Sequence, residues 1–307
     1  MSSASVPVEV DGRNLKLSNL DKVLYPEVRL TKGEVIHYYT SVAPVLLPHL
    51  AGRPLTVKRY PNGVEGKFFF EKNASRSKPD WVRTVTLPAP GSTKDRDQID
   101  FIVVEELATL VWLANLAALE LHTPQWTVGP RGGVRAADQL VLDLDPGPPA
   151  TVVECCRVAL LLRDLLAADG LEPVAKTSGN KGLQLYAAIA ETPSERTSDY
   201  AHRLARRLEA EHPELVVSRM TKALRPRKVL VDWSQNNSAK TTVSVYSLRA
   251  RATATVSAPV TWDEVTATAE DSAPLVFDHA DVLDRVAELG DLFAPLLVDR
   301  SRPALPG

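Results

Sequence analysis

The strongest constraint in this sequence is the segment 139–147, Gln-Leu-Val-Leu-Asp-Leu-Asp-Pro-Gly, in which a β-prone apolar run leads into two acids. Side chains alternate between the two faces of a strand, so Asp143 and Asp145 are expected on the same face as Val141. The opposite face, directed into a core, carries the other apolar residues of the run, Leu140, Leu142 and Leu144. Two ionised carboxylates this close repel each other, so a shared proton, a basic neighbour or a metal ion must relieve the repulsion. Taken alone, so short a motif also fits a strand end with two solvated aspartates.

The composition is that of a globular protein, with 44% apolar and 24% charged residues in a chain of 307, and it argues against disorder. Strand and helix patterns are mixed without strict βαβ alternation, which predicts an α+β fold. We find no basic and apolar leader, and no apolar run of the ~20 residues that a membrane helix needs. We therefore expect a cytoplasmic protein with no membrane partner. The adjacent Cys155 and Cys156 are expected to be buried small residues rather than a disulfide or a metal pair.

The net charge of −2 conceals an uneven distribution of charge along the chain. Residues 219–251 contain eight bases and one acid, and residues 53–83 contain eight bases and three acids. Residues 252–307 have the opposite character, with three bases and ten acids. A polyanionic partner would be attracted to the first two regions, although solvated surface charge is the simpler explanation for either one alone.

Hydrophobic periodicity predicts the main helices and strands. The predicted helices are 31–49 (with a Thr31–Glu34 capping box and a kink or break at Pro44), 105–121, 151–168, 194–211 and 278–289. The predicted strands are 55–60, 68–72, 101–104, 139–145, 183–189, 229–232 and 241–248. We expect residues 1–14 to be a flexible N-terminus, 88–98 a surface loop, and 296–307 a tail whose Pro-rich end is mobile.

A third acid ends another apolar strand, at Asp232. Singly, such a residue is more often part of a turn, but together with Asp143 and Asp145 it becomes a candidate metal ligand. Oxygen ligands in this number suit Mg²⁺ or Mn²⁺ rather than zinc. Three carboxylates from two strand ends could hold two divalent ions, which would lower the pKa of an attacking hydroxyl and neutralise a leaving phosphate.

The loop 177–182, Thr-Ser-Gly-Asn-Lys-Gly, joins two predicted strands and is suited to a phosphate. Its glycines permit close approach of the backbone, and exposed N–H groups, Ser178 and Lys181 are suitable phosphate donors. It is not a Walker A loop, and a tight turn with a solvated lysine explains it equally well.

Aromatic and cationic side chains lie near one another around Phe68–Phe70, which is flanked by Lys67 and Lys72 and preceded by Lys58 on the previous predicted strand. Stacking of a base on an aromatic ring is worth about 1–3 kcal/mol. Aromatics in strands are usually part of a core, so alternation predicts that at most half of the three rings are exposed. His122, which follows an apolar segment, is by itself more typical of a structural histidine.

Several motifs occur together in this order: 21–26 (Asp-Lys-Val-Leu-Tyr-Pro), 69–72 (Phe-Phe-Glu-Lys), 122–126 (His-Thr-Pro-Gln-Trp), 143–147, 177–182, 231–236 (Val-Asp-Trp-Ser-Gln-Asn) and 246–249 (Tyr-Ser-Leu-Arg). The set resembles the polymerase domain of bacterial end-joining DNA ligase D, in the archaeo-eukaryotic primase superfamily. A set of seven motifs in register is far more specific than any one of them. The resemblance implies a primase-like catalytic core of mixed or antiparallel sheets flanked by helices, as a single domain over residues 15–295.

This resemblance also implies a function and roles for individual residues. The function would be template-dependent nucleotidyl transfer that extends a primer 3′ end with nucleoside triphosphates, preferring ribonucleotides and Mn²⁺ (or Mg²⁺) as two ions per site. Asp143 and Asp145 would ligate both ions, and Asp232 would complete the metal site at the primer 3′-hydroxyl. The triphosphate would be held by His122, Ser178, Lys181, Arg225, Gln235 and Arg249. The bases and the template would be contacted by Phe70, Phe69 and Lys58, and the 5′-phosphate of a gap or overhang by Asn19, Lys22 and Lys32.

The sequence departs from the family pattern in three respects. Asn180 replaces a serine of the family's phosphate loop, and Phe68 adds a third aromatic. The Lys-x-Asp-Gly motif of a ligase is not found, so the chain resembles the stand-alone primase-polymerases of actinobacteria. The implied setting is DNA repair in the bacterial cytoplasm at the nucleoid, by gap filling, end joining or excision repair, with a separate DNA ligase and Ku as candidate partners.

Two other classes of function remain open from the residues themselves. A metal-dependent nuclease or phosphoesterase needs the same acids but no triphosphate-binding group, so Ser178, Lys181 and Arg249 argue against it. A non-catalytic nucleic-acid-binding module accounts for the bases and the aromatics. It does not account for three acids that would repel phosphate in the absence of metal.

Overall fold

The computed structural model describes residues 5–88, 97–298 and 302–306. Helices and largely antiparallel sheets are mixed in it, which confirms the predicted α+β class. Most of the predicted loop at 88–98 lies outside the described residues. Across the described ranges, every helix is too short or too polar to span a membrane.

The strands are β1 (Ser5–Val10), β2 (Arg13–Ser18), β3 (Val23–Tyr25), β4 (Leu30–Thr31), β5 (Pro54–Arg59), β6 (Phe69–Glu71), β7 (Thr84–Pro88), β8 (Gln98–Val103), β9 (Ala118–Thr123), β10 (Trp126–Val128), β11 (Val134–Pro146), β12 (Pro173–Thr177), β13 (Leu183–Thr192), β14 (Val216–Val217), β15 (Val229–Asp232), β16 (Thr242–Val243) and β17 (Pro259–Val260). The helices are α1 (Lys32–Leu50), α2 (Leu107–Asn115), α3 (Val152–Ala168), α4 (Ser194–Glu211), α5 (Trp262–Asp271) and α6 (His279–Leu289). Short 3-10 helices lie at Lys222–Leu224, Trp233–Asn236 and Ala294–Leu297.

Two larger sheets organise these elements. Sheet A has the strand order β14-β15-β11-β13-β12-β17, with β10 also paired to β11. Sheet B has the order β16-β9-β5-β8-β7, with β6 also paired to β5. Neighbouring strands are antiparallel except for β14 and β15, which are parallel.

The alternation along β11 follows the sequence prediction. Leu140, Leu142 and Leu144 are buried in a core with residues of α3, α4 and α5. Val141 points the other way, into a second core that contains residues of α1, α2 and sheet B. Burial of one such leucine side chain stabilises the fold by about 1.5–3 kcal/mol. The strand is therefore fixed from both sides, and the acids at its end follow the register of the leucines.

The predicted helix at 105–121 is wrong in its second half. Helix α2 ends at Asn115, Ala117 adopts a left-handed φ of 56°, and the chain then enters β9. Strand β9 lies inside sheet B and is buried along most of its length, with Leu119 and Leu121 on one face and Glu120 and His122 on the other. Because this strand follows the apolar helix after only two residues, the periodicity of the helix extends over it in the sequence and conceals the short alternation.

Two further elements differ from the predictions. The strand expected at 241–248 is limited to β16, because the chain leaves the sheet and Tyr246 takes a positive φ of 62°. Helix α5 was not predicted, although Thr261 and Glu264 form a capping box like the one at the start of α1. Of the kink or break predicted at Pro44, the break is excluded, because α1 continues across this residue.

Both termini are more ordered than predicted, within the described residues. Residues 5–10 form strand β1, which pairs with β2 in a hairpin. In the tail, Arg302 pairs with Asp138 at 3.1 Å, the N–H of Ala190 donates to the carbonyl of Pro303 at 2.9 Å, and Leu305 is buried. A charged contact and apolar burial hold this tail against the domain, although its Pro-rich composition suggested mobility.

The acid Asp291 ties the end of the described domain to α1. It pairs with His49 at 2.8 Å and accepts hydrogen bonds from the Tyr246 hydroxyl at 2.7 Å and the Phe293 N–H at 2.9 Å. Burial opposes ionisation of Asp291, but these partners dominate and lower its pKa below the ordinary value. Its contribution to stability is therefore present above the unfolded pKa of about 4 and is lost as the pH falls through the folded pKa.

We predict that Asp291→Asn lowers the free energy of unfolding by about 1–3 kcal/mol at pH 7, because buried donors lose an ionised acceptor. Urea unfolding should show the difference shrinking below pH 4. The exposed Asp284→Asn, on α6, serves as a matched control and should unfold like the wild type. Equal stability of Asp291→Asn and wild type at pH 7 would contradict this role.

Candidate active site

Two strands of sheet A bring the three predicted acids together. Strand β11 pairs with β15 in a register that sets Asp143 opposite Asp232 and Asp145 opposite Leu230. One carboxylate oxygen from each of Asp143, Asp145 and Asp232 lies within 4.8 Å of the others. The predicted convergence of these side chains is confirmed, and the group could hold a metal ion.

The electrostatics of this acid group favour a bound cation. Burial, followed by repulsion from Asp145 and Asp232, raises the pKa of Asp143 to about 7, although a hydrogen bond from Gln184 opposes the shift. Burial and the charge of Asp232 also raise the pKa of Asp145, and Arg225 opposes that shift. A divalent ion would remove the mutual repulsion, and an all-oxygen donor set fits a hard cation. The residues present therefore fit a divalent metal.

A series of buried hydrogen bonds positions Asp143. The amide of Gln184 donates to its Oδ1 at 3.0 Å. The ammonium group of Lys176 donates to Gln184 Oε1 and, at 2.7 Å, to Ser257 Oγ. Lys176 is 1% exposed, and burial lowers its pKa well below the ordinary value. Lys176 and Gln184 were not predicted from the sequence, because each is distinguished there only as a polar residue within an otherwise mostly apolar strand.

The third acid is held by the turn that follows it. Asp232 Oδ1 accepts from the N–H and the hydroxyl of Ser234, at 3.0 and 2.5 Å, and Oδ2 accepts from Gln235 Nε2 at 2.9 Å. The predicted phosphate ligand Gln235 is therefore in contact with the acid group itself. Lys240 donates to Ser234 and places a positive charge beside this turn.

The loop 177–182 is a tight polar turn next to the acid group. Gly179 has a positive φ of 64°, and a Cβ there would lie 2.6 Å from Arg249 Cγ, so a side chain would displace the arginine. Ser178 Oγ accepts the N–H groups of Asn180 and Gly182 at 3.2 and 3.1 Å. The guanidinium of Arg249 donates to the Ser178 carbonyl at 2.7 Å, and Lys181 is exposed.

Two arginines near the acid group and the loop 177–182 each have a buried donor that makes no hydrogen bond. The Nε–H groups of Arg225 and Arg249 are both buried and donate to no acceptor among the described residues. Arg225 lies close enough to Asp145 to lower its pKa. A buried N–H without a partner costs about 1–3 kcal/mol, so these donors are suited to an anionic ligand.

A buried acid that the sequence analysis did not single out lies among three of the predicted ligands. Glu120 Oε2 is 3.0 Å from His122 Nε2 and 3.3 Å from Lys58 Nζ, and its Oε1 is 3.6 Å from Arg249 Nε. Burial alone would raise its pKa, but the His122 hydrogen bond and the charges of Arg249, His122 and Lys58 lower it to about 2. Burial lowers the pKa of His122, and Glu120 opposes that shift. The helix wrongly predicted over 105–121 concealed that Glu120 and His122 share one face of a strand.

All three rings of Phe68, Phe69 and Phe70 are exposed, by 48%, 58% and 56%, so the prediction that at most half would be exposed is wrong. Strand β6 is three residues long and pairs with β5, and the three rings belong to none of the hydrophobic cores formed by the described residues. Lys58 Nζ lies 4.9 and 5.1 Å from the ring centres of Phe68 and Phe70. The rings border an open cleft of about 1790 Å³ that Trp126 also lines. Phe70 lies 6.4 Å from the His122 ring, next to the Glu120 group.

The predicted 5′-phosphate ligands form a separate group. Lys22 and Lys32 are neighbours, since the Lys32 N–H donates to the Lys22 carbonyl at 2.8 Å. Lys22 is exposed and donates to Asn62 Oδ1 at 3.3 Å, and Asn19 is exposed in a turn with a φ of 53°. Lys32 is 4% exposed and donates to the Asn115 carbonyl at 3.0 Å, and burial, then Lys22, lowers its pKa.

Comparison with known proteins agrees with this geometry. Residues 31–293 match the family described as the primase-polymerase domain of LigD. This chain belongs to the LigD primase-polymerase domain family. The multifunctional non-homologous end joining protein LigD of Mycolicibacterium smegmatis is 45% identical over 286 residues, which are 93% of this chain and 36% of that protein. The LigD protein of Mycobacterium tuberculosis H37Rv is 43% identical over 293 residues, 94% of this chain and 37% of that protein.

A solved structure of the same family has the same fold. The polymerase domain of Mycobacterium tuberculosis ligase D in complex with DNA matches with a TM-score of 0.87 and 43% identity, covering 93% of this chain and 98% of that one. The family resemblance read from the motifs is confirmed. This primase-polymerase chain spans 36–37% of the length of the two LigD proteins.

We predict that MnCl₂ raises the thermal midpoint of the wild type and has no effect on Asp143→Asn. Ligand at 100 times its dissociation constant stabilises a fold by about 2.7 kcal/mol. Differential scanning fluorimetry with and without chelator measures the effect. Asp199→Asn, exposed on α4, is the control and should respond like the wild type. A full manganese response in Asp143→Asn would remove this residue from the metal site.

We also predict that Asp143→Asn reveals how far the buried charge of Asp143 lowers the free energy of unfolding when metal is removed. The folded pKa of Asp143 is about 7 and the unfolded one about 4, so without metal stability falls as the pH rises between them. In chelator at pH 8, Asp143→Asn should therefore unfold at a higher temperature than the wild type, and this gain should vanish near pH 4.

Proposed function

We propose that this protein is a template-dependent nucleotidyltransferase that extends a primer 3′ end at short gaps or broken DNA ends, with a preference for ribonucleoside triphosphates. The observation that carries the proposal is the acid group near two arginines whose buried Nε–H groups make no hydrogen bond among the described residues, in a chain of this family. Its relatives are named for non-homologous end joining, and the similar polymerase domain was solved with DNA.

The acids Asp143, Asp145 and Asp232 would hold two divalent ions, Mn²⁺ or Mg²⁺. Such ions lower the pKa of an attacking hydroxyl and neutralise the charge on a leaving pyrophosphate. Gln184 orients Asp143, and the Ser234 and Gln235 donors orient Asp232. These contacts fix the carboxylates before the substrate arrives, which reduces the reorganisation needed in the transition state.

The triphosphate would lie against the basic side of this acid group. Its proposed ligands are His122, Ser178, Lys181, Arg225, Gln235 and Arg249. Ionic hydrogen bonds from arginine to phosphate are about twice as strong as neutral ones. These residues bind and orient the substrate so that the primer hydroxyl can attack the α-phosphate in line.

The exposed rings of Phe69 and Phe70 would contact the incoming and templating bases, with Lys58 beside the template. Stacking on such rings is tolerant of sequence, which suits the joining of arbitrary ends. Asn19, Lys22 and Lys32 would bind the 5′-phosphate of a gap or overhang. Because the substrate is DNA, the proposed location of the enzyme is the bacterial cytoplasm, at the nucleoid. Ku and a separate DNA ligase are its candidate partners. The proposed polymerase domain comprises residues 15–295.

We predict that the wild type lengthens a labelled primer on a 5′-phosphorylated gap in the presence of MnCl₂, with UTP preferred over dTTP. Asp143→Ala should reduce incorporation at least 1,000-fold, since a metal ligand is lost, while gel-shift affinity for the DNA is kept. Asp199→Ala is the control. Shortening of the primer would favour a nuclease, and binding that survives chelator without any nucleotide turnover would favour a non-catalytic module.

We also predict that Lys22→Ala weakens binding to a gap with a 5′-phosphate by about tenfold, the loss expected for one charged hydrogen bond. Binding to the same gap with a 5′-hydroxyl should be almost unchanged. Fluorescence anisotropy on the two DNAs measures the difference. Equal losses on both DNAs would show that Lys22 does not read the phosphate.

A further inference from the structure

The least expected feature of the proposed triphosphate site is its buried acid. Glu120 is 2% exposed and contacts three of the side chains proposed to bind nucleotide or template, namely Lys58, His122 and Arg249. Its Oε1 also accepts the N–H of Ala250 at 3.2 Å. A negative charge in an anion site weakens its long-range attraction for phosphate. Its presence therefore needs a reason other than charge.

The contacts of Glu120 cross from one sheet to the other. Lys58 comes from β5 and His122 from β9, both in sheet B. Arg249 follows β16 and reaches the loop of sheet A, where it donates to the Ser178 carbonyl at 2.7 Å. One carboxylate thus sets the relative positions of side chains from sheet B and, through Arg249, of the loop 177–182 beside the acid group.

Arg249 is further restricted by its surroundings. The Tyr25 hydroxyl donates to its carbonyl at 3.1 Å, and Gly179 leaves the space that its side chain occupies. Its buried Nε–H donates to no acceptor in the part of the chain that the structure describes, and the Glu120 oxygen that it faces is 3.6 Å away. The arginine is thereby fixed by its other contacts while one donor remains available to a ligand.

We propose that Glu120 is a positioning residue that holds His122, Arg249 and Lys58 in the geometry in which they bind the triphosphate and the adjoining base. The proposal rests on the proposed function, because that function assigns the ligand of these three side chains. Glu120 itself does not touch the substrate. Fixed side chains lose less conformational freedom on binding, so orientation compensates for the reduced positive charge.

Two explanations of Glu120 predict opposite signs in one experiment. If Glu120 only moderates charge, Glu120→Gln adds net positive charge and tightens UTP binding. If it positions Lys58, His122 and Arg249, Glu120→Gln loses the contacts of the charged carboxylate with them and weakens UTP binding in spite of the added positive charge. Glu120→Asp keeps the charge but withdraws the carboxylate by one methylene, so it separates charge from position.

The test measures UTP binding by isothermal titration calorimetry with MnCl₂, and KM and kcat for UTP by primer extension. We expect Glu120→Gln to raise both the dissociation constant and KM about tenfold, equivalent to 1.4 kcal/mol, with kcat changed by less than about threefold. Glu120→Asp should show a smaller rise of the same sign. Glu264→Gln, which removes a partly buried acid paired with Arg285 outside the site, should match the wild type.

Each outcome bears on the proposal. Wild-type affinity or tighter binding in Glu120→Gln, or full rescue by Glu120→Asp, would overturn it. Loss confined to kcat would also overturn it, since positioning of binding groups acts on KM. If neither variant folds by circular dichroism, Glu120 is a folding residue and the proposal fails. If the wild type itself neither binds UTP nor extends primers, the proposed function fails instead.

Discussion

The constraint on which the site depends is the close approach of three mutually repelling carboxylates, which the pairing of strands in sheet A imposes. The pairing of β11 with β15 fixes Asp143 opposite Asp232, and the leucines on the other face of β11 prevent the strand from shifting its register. A slip of one residue would send the acids into the core and the leucines into the site. The repulsion is therefore built into the fold, and a divalent cation is the counter-charge that its oxygen ligands suit.

The surroundings of the acid group are organised by buried polar contacts rather than by surface charge. In sheet A, Gln184 donates a hydrogen bond to Asp143 and receives one from Lys176. In sheet B, Glu120 contacts Lys58 and His122. Arg249 joins the two parts, because it contacts both Glu120 and the loop of sheet A. The site is consequently formed where two sheets meet, and neither sheet alone contains the proposed binding groups.

The sequence predicts the acid strand well because alternation is a local property, and β11 keeps it. It also predicts α1, α3 and α4, whose apolar faces are local too, and α1 and α3 begin in addition at capping boxes. It fails at β9, because this short strand follows α2 after only two residues and the predicted helix extends over its alternation of Leu119 and Leu121 with Glu120 and His122, so that Glu120 was missed. The exposure of Phe68–Phe70 depends on what covers β6, and the contacts of Lys176 depend on β12, β13 and the segment that carries Ser257. Those are properties of the tertiary structure.

The central claim is that the three acids hold paired cations facing a positively charged site for a nucleotide. A crystal structure determined with MnCl₂ and UTP, with anomalous scattering recorded for manganese, tests this most directly. The account predicts two manganese peaks about 3.5–4 Å apart between Asp143, Asp145 and Asp232, with the triphosphate against Arg249 and the loop 177–182. A map with the acids turned apart and no manganese between them, while UTP is bound elsewhere, would contradict it.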